Sequence, residues 1–196
     1  MRVSPVSSEA HGAPQKLHGS VRQRGSHQLP LSELRQLRRR RLPGGGSAHE
    51  VPIEHNSDRL RYLNTLARRD AESPHVRRYA ERIQRGAGSP LKQIAALHGW
   101  VRDRILYTGE QRETFTHPVK VLRYGVGDCD DSARLLVAML RSLGFRARVE
   151  LVPPAHVAAQ VRYRGRWRWL ETTIQAQPFE HPMAAARRLG MVGSSL

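Results

Sequence analysis

Residues 127–145 read Gly127-Asp128-Cys129-Asp130-Asp131-Ser132-Ala133-Arg134-Leu135-Leu136-Val137-Ala138-Met139-Leu140-Arg141-Ser142-Leu143-Gly144-Phe145. Ala133, Leu136, Val137, Leu140 and Leu143 recur at helical spacing, which predicts a helix over 129–143 with one apolar face. Asp128 stands where an N-cap belongs, and Asp130 and Asp131 fall in the first turn, where acids stabilise the positive end of the helix dipole. Gly144 suits the C′ position that ends a helix. Cys129, the only cysteine in the chain, opens this helix. A helix N-terminus favours thiolate over thiol, and thiolate is the nucleophilic form. The three neighbouring aspartates oppose that effect, because nearby carboxylates raise a thiol pKa.

After Gly144 the period changes. Phe145, Ala147, Val149 and Leu151 alternate with polar residues, predicting a half-buried strand that Pro153-Pro154 breaks. His156 to Tyr163 alternates again, Arg164-Gly165 makes a tight turn, and a third strand with Trp167, Trp169 and Leu170 runs to Thr173. The expected unit is an antiparallel meander behind a helix. His156 follows Cys129 by 27 residues, and Glu171 follows His156 by 15. The order cysteine, histidine, acid, on helix, strand, strand, is a layout for a cysteine nucleophile with an oriented base. His156 stands out among ten histidines by its place, first in a strand after a Pro-Pro corner. Antiparallel neighbours bring residues such as His156 and Glu171 within hydrogen-bonding reach. The plainer alternatives are a surface strand acid for Glu171 and helix-start roles for the three aspartates. One thiol with three adjacent carboxylates matches no common metal site, so no metal or cofactor is expected.

Upstream, apolar residues at helical spacing predict helices over 57–69, 74–84 and 90–106, with a shorter turn over 118–123. Residues 1–30 are polar and rich in Ser, Gly, Pro and His, which reads as an arm without a packed core. Leu31, Leu34 and Leu37 suggest a short helix over 31–42, capped by Ser32 and ending in Arg38, Arg39, Arg40 and Arg41. Pro43-Gly44-Gly45-Gly46-Ser47 is a break. The chain thus divides into a basic flexible arm over 1–50, a folded domain over 51–177 and a tail over 178–196 that holds one short helix.

The 196 residues suffice for one domain with a full core. A net charge of +16 would attract nucleic acid, anionic membranes or acidic proteins, or would simply be a solvated basic surface. The Arg38–Arg41 run lacks interleaved aromatics, so at most non-specific, salt-sensitive nucleic-acid binding is expected there. Acidic partner proteins are the other expectation for residues 1–42. A single cysteine excludes an internal disulfide. No apolar run approaches ~18 residues, so no membrane span is expected. The N-terminal stretch lacks a signal-peptide core, and a cytoplasmic or virion location is the expectation.

At several of these residues the chain resembles the transglutaminase-like superfamily of papain-fold enzymes, and within it the bacterial and bacteriophage transglutaminase-like cysteine peptidases. The motifs are Gly127-Asp128-Cys129-Asp130-Asp131 with Leu143-Gly144-Phe145, then His156-Val157, Gly165, Trp167 and Leu170-Glu171-Thr172-Thr173. Upstream, Trp100-Val101-Arg102-Asp103, Ile105-Leu106-Tyr107, Pro118 and Val121-Leu122 fit the lead-in to the cysteine. The resemblance covers about residues 90–175. It implies an α+β fold with helices packed on a small antiparallel sheet, Cys129 as nucleophile and His156 as general base. Glu171 stands where the family usually has an aspartate. The implied activity is thiol acyl transfer on an amide of a protein or peptide. An alternative is a virion component that keeps the fold and assembles through its basic arm.

Overall fold

A computed structural model describes residues 39–41, 47–49, 55–108 and 115–191. Along the chain run β1 (Arg39–Arg41), β2 (Ser47–His49), α1 (Asn56–Asp70), α2 (Pro74–Ile83), α3 (Pro90–Arg104) and β3 (Leu106–Tyr107). Then come α4 (Pro118–Tyr124), β4 (Val126–Gly127), α5 (Cys129–Ser142), β5 (Ala147–Val152), β6 (His156–Tyr163), β7 (Arg166–Leu170) and α6 (Pro182–Arg188). The architecture is α+β, as expected: helices packed on a small antiparallel sheet of order β5-β6-β7.

Helix α5 is the axis of the fold. Asp128 caps it, its Oδ1 accepting the Asp131 N–H at 2.9 Å. At the other end Gly144 takes φ +88°, Phe145 N–H donates to Leu140 O and Gly144 N–H donates to Arg141 O. These are the two bonds of a Schellman ending. The expected one-faced helix is instead buried on every side from Cys129 to Leu140. α1, α2, α3 and α4 pack around it, and β5 and β6 close the remaining side. Leu63, Ile94, Leu97, Val101, Leu136, Met139, Leu140 and Leu170 form the fully buried centre. Arg134, inside that helix, is neutralised by Asp70 of α1 at 2.6 Å. Pairing of this kind is what makes a buried charge tolerable.

Side chains at local joints fix the rest. Ser89 caps α3 and Pro90 opens it. Arg164 and Gly165, at φ +48° and +75°, make the two-residue β6–β7 turn. Asn64 of α1 bonds both backbone groups of Val149, each at 2.9 Å, and so seals the edge strand β5.

Two sequence expectations change. Arg39–Arg41 form a strand paired antiparallel with Ser47–His49, so the helix proposed over 31–42 does not extend through them. Four successive arginines have no apolar face to hold a helix against a core. Arg38 and the rest of the arm lie outside the described residues. The third sheet strand ends at Leu170 rather than Thr173, because the Thr173 N–H donates to the Glu171 carboxylate at 2.7 Å. The two-residue parallel pair of β3 with β4 was not expected; it holds Tyr107 beside Gly127, just ahead of the cysteine.

Candidate active site

Cys129 lies at the first position of α5, so its backbone N–H has no acceptor one turn back and points out of the helix end. Its thiol is buried, 8% exposed, against the start of β6. The S–H donates to Asp130 Oδ1 at 3.7 Å, and Arg59 Nη2 lies 3.9 Å from the sulfur. The Val157 N–H also reaches the sulfur. Val157 is the residue after His156, so the thiol sits beside the strand end that carries the imidazole. Among the described residues no hydrogen bond joins the thiol to the His156 ring.

His156 and Glu171 meet. His156 Nε2 is 2.6 Å from Glu171 Oε2. The β6–β7 register pairs Ala159 with Leu170, which leaves Glu171 diagonal to His156. A long side chain spans such a diagonal, and glutamate supplies the length. Glu171 is 1% exposed, whereas the His156 side chain is 32% exposed and open to an incoming molecule. Burial pushes the Glu171 carboxyl up, but the His156 ring and the Thr173 N–H and hydroxyl outweigh it and hold the group below its ordinary value. The ionised carboxylate fixes a proton on Nε2, which leaves Nδ1 with the lone pair when the ring is neutral.

Of the two opposing effects read from the sequence at the thiol, the raising one prevails. Burial pushes it up, Asp130 and Asp128 push it further, and Arg59 and the Val157 N–H oppose them only in part; it is pushed up to about 12. The helix dipole is thus outweighed by desolvation and two carboxylates. The thiol is protonated at rest.

The three aspartates do more than start a helix. Asp128 is the cap. Asp130, fully buried, takes both Arg59 Nε and Nη2 at 2.7 and 2.6 Å. Asp131 Oδ1 accepts the Thr116 N–H at 2.7 Å and ties the approach to α4 onto α5. A Cβ on Gly127 would stand 2.9 Å from Asp131 Cβ, so this close approach requires glycine.

Two functional residues were missed in the sequence. Arg59 Nη1 also donates to Ala155 O at 3.4 Å, and Asn56 donates to Pro154 O at 3.2 Å. The start of α1 therefore clamps the Cys129 helix to the corner before His156. Nothing in the α1 pattern marks Arg59 among its arginines. His98, fully buried on α3, donates Nε2–H to the Glu171 carbonyl at 2.6 Å. Burial lowers its pKa and keeps the ring neutral. Its signal was present as a lone histidine between Leu97 and Val101 on an apolar face. Tyr107, half exposed at the rim, is pushed up by burial and by the nearby Asp128 and Asp130.

Comparison with known families bears on this geometry. Residues 77–172 match the model of the transglutaminase-like superfamily. The match runs from α2 through α5 and the sheet to the residue after Glu171; Arg59 lies outside it. No curated protein matches the chain. Among solved structures, a candidate protease from Parabacteroides distasonis is 19% identical with a TM-score of 0.47, covering 59% of this chain and 26% of that one. A candidate cysteine protease from Cytophaga hutchinsonii is 19% identical at 0.48, covering 69% and 52%. A structure described as a TGase is 15% identical at 0.41, covering 73% and 40%. The chain spans about half or less of each of these proteins. The architecture is a mixture of helices and a small antiparallel sheet, and over residues 77–172 the chain is similar to the transglutaminase-like superfamily. No described helix is long and apolar enough to cross a membrane.

Proposed function

We propose that the chain is a cysteine hydrolase of transglutaminase-like fold that cleaves an amide in a protein or peptide by thiol acyl transfer. Cys129 is the nucleophile, His156 the base through Nδ1, and Glu171 the group that orients the ring. The observation that carries this reading is the 2.6 Å His156–Glu171 contact, on the strand end whose next N–H meets the Cys129 sulfur.

Because the thiol is protonated at rest, its proton leaves during attack rather than beforehand. Sγ attacks the carbonyl carbon as His156 Nδ1 takes the proton. The oxyanion meets the Cys129 N–H at the helix end. The C–N bond breaks as the imidazolium returns the proton to the amine, leaving a thioester. Water then attacks with His156 again as base, releasing a carboxylic acid and restoring the thiol. Water suffices as the acceptor, so hydrolysis rather than cross-linking is the simpler outcome. A virion or assembly role through residues 1–42 finds no specific support, since that arm lies almost wholly outside the described residues.

The test is turnover of p-nitrophenyl acetate and of a peptide-amide library. Cys129→Ala abolishes it, and His156→Ala lowers it by about 10²- to 10⁴-fold. Turnover by Cys129→Ala equal to that of the unaltered protein overturns the reading.

A further inference from the structure

At the far end of α5, about 18 Å from Cys129 by helix rise, a cavity of about 660 Å³ opens between α1, α5 and β5. Arg68, Arg141, Arg146 and Arg148 line it together with Phe145 and Trp167, and no carboxylate does. Arg148 is already neutralised: it pairs with Glu150 at 2.7 Å and lies over the Trp167 ring at 4.4 Å. Arg68, Arg141 and Arg146 have no acidic partner among the described residues. Arg141 is anchored, donating to Ala147 O at 2.8 Å, and Arg68 donates to Asn64 O at 3.4 Å. Burial and the neighbouring Arg68 charge both push Arg141 down, so the cluster repels itself when empty of anions.

Three unneutralised guanidinium groups around one concavity call for a multiply charged anion rather than a single carboxylate. Guanidinium forks bind phosphate oxygens in pairs, which suits such a group. The aromatic wall of Phe145 and Trp167, with a guanidinium already on Trp167, adds a surface for a planar ring. The volume is that of a small-molecule site rather than an extended groove.

We propose that this cavity binds a small ligand of the nucleoside di- or triphosphate class, its phosphates on Arg68, Arg141 and Arg146 and its base against Phe145 and Trp167. The site is separate from the one that holds Cys129 and stands whether or not that site is catalytic.

A fluorescent ADP analogue, followed by anisotropy on the full chain, tests the proposal. Saturable binding is expected, displaced by ADP and more weakly by inorganic pyrophosphate, but not by adenosine. Arg68→Glu and Arg146→Glu, both exposed and so compatible with folding, each weaken it by about tenfold or more, as loss of a charge-assisted bond requires. Circular dichroism confirms that both variants fold, and the alkylation rate of Cys129 does not change in them. Non-saturable binding, or affinity that neither variant alters, overturns the proposal. So does competition by adenosine but not pyrophosphate. A single-stranded oligonucleotide that binds equally well to both variants, with no ADP binding, assigns the basic surface to nucleic acid instead.

Discussion

Asp130→Asn is the most informative single change at the site. It removes one charge, keeps nearly the same volume, and leaves Arg59 able to donate to the amide oxygen. In the unaltered protein the carboxylate lies 3.7 Å and the guanidinium 3.9 Å from the sulfur; desolvation dominates, and Asp130 adds more than Arg59 takes back. Removing the negative charge leaves Asp128 as the carboxylate raising the thiol, with Arg59 opposing it. At 3.7 Å and an effective dielectric constant of about 20, one charge pair amounts to about 4.5 kcal/mol, or roughly three pKa units. Asp130 is fully buried, so solvent screens little of this. The thiol should therefore fall by roughly three units from its position of about 12. The lone cysteine makes the readout clean: thiolate absorbance in the ultraviolet, or the iodoacetamide rate, against pH. A midpoint that stays in place or rises in folded protein refutes the electrostatic account of the resting thiol.

Three other changes probe the supports of the site. Glu171→Gln should lower turnover by on the order of 10²- to 10⁴-fold by losing the orienting charge. It should also flatten the acid limb of stability: a carboxyl held below its ordinary value stabilises the fold above that value, and the stability is lost as pH falls from there through the lower folded-state value. Urea midpoints below pH 4.5, the ordinary glutamate value, read this out. Gly127→Ala forces Asp131 aside and breaks its bond to Thr116, costing about 1–3 kcal/mol; chemical denaturation gives the cost, and a shift in Cys129 alkylation rate follows. Arg134→Met strands buried Asp70 and should cost about 3–5 kcal/mol in urea unfolding; a loss under 1 kcal/mol would mean that His117, 3.9 Å from Asp70, takes over as partner.

The start and end of α5 and the meander were legible because they rest on local rules. Asp128 and Gly144 act where their side chains and φ preferences dictate, and period alone separates α5 from β5 and β6. The pairing of His156 with Glu171 was legible from strand order, since antiparallel neighbours meet. What was not legible came from long-range placement. Arg59 is one arginine among many until folding brings α1 against Asp130. Total burial of α5 follows from four helices and two strands closing around it, which an apolar face alone does not predict. Which of the two opposing effects wins at the thiol was not legible for the same reason: helix position is local, whereas desolvation and the reach of Asp130 are properties of the folded site. Arg39–Arg41 went to a strand because charge runs carry no period.

The central claim is a covalent acyl intermediate on Cys129. Acid-quenched intact mass spectrometry after brief exposure to p-nitrophenyl acetate should find one acetyl group on Cys129, removable by hydroxylamine at neutral pH. It should be absent in Cys129→Ser and form far more slowly in His156→Ala. Ester turnover with no adduct on Cys129, undiminished in Cys129→Ser, would contradict it.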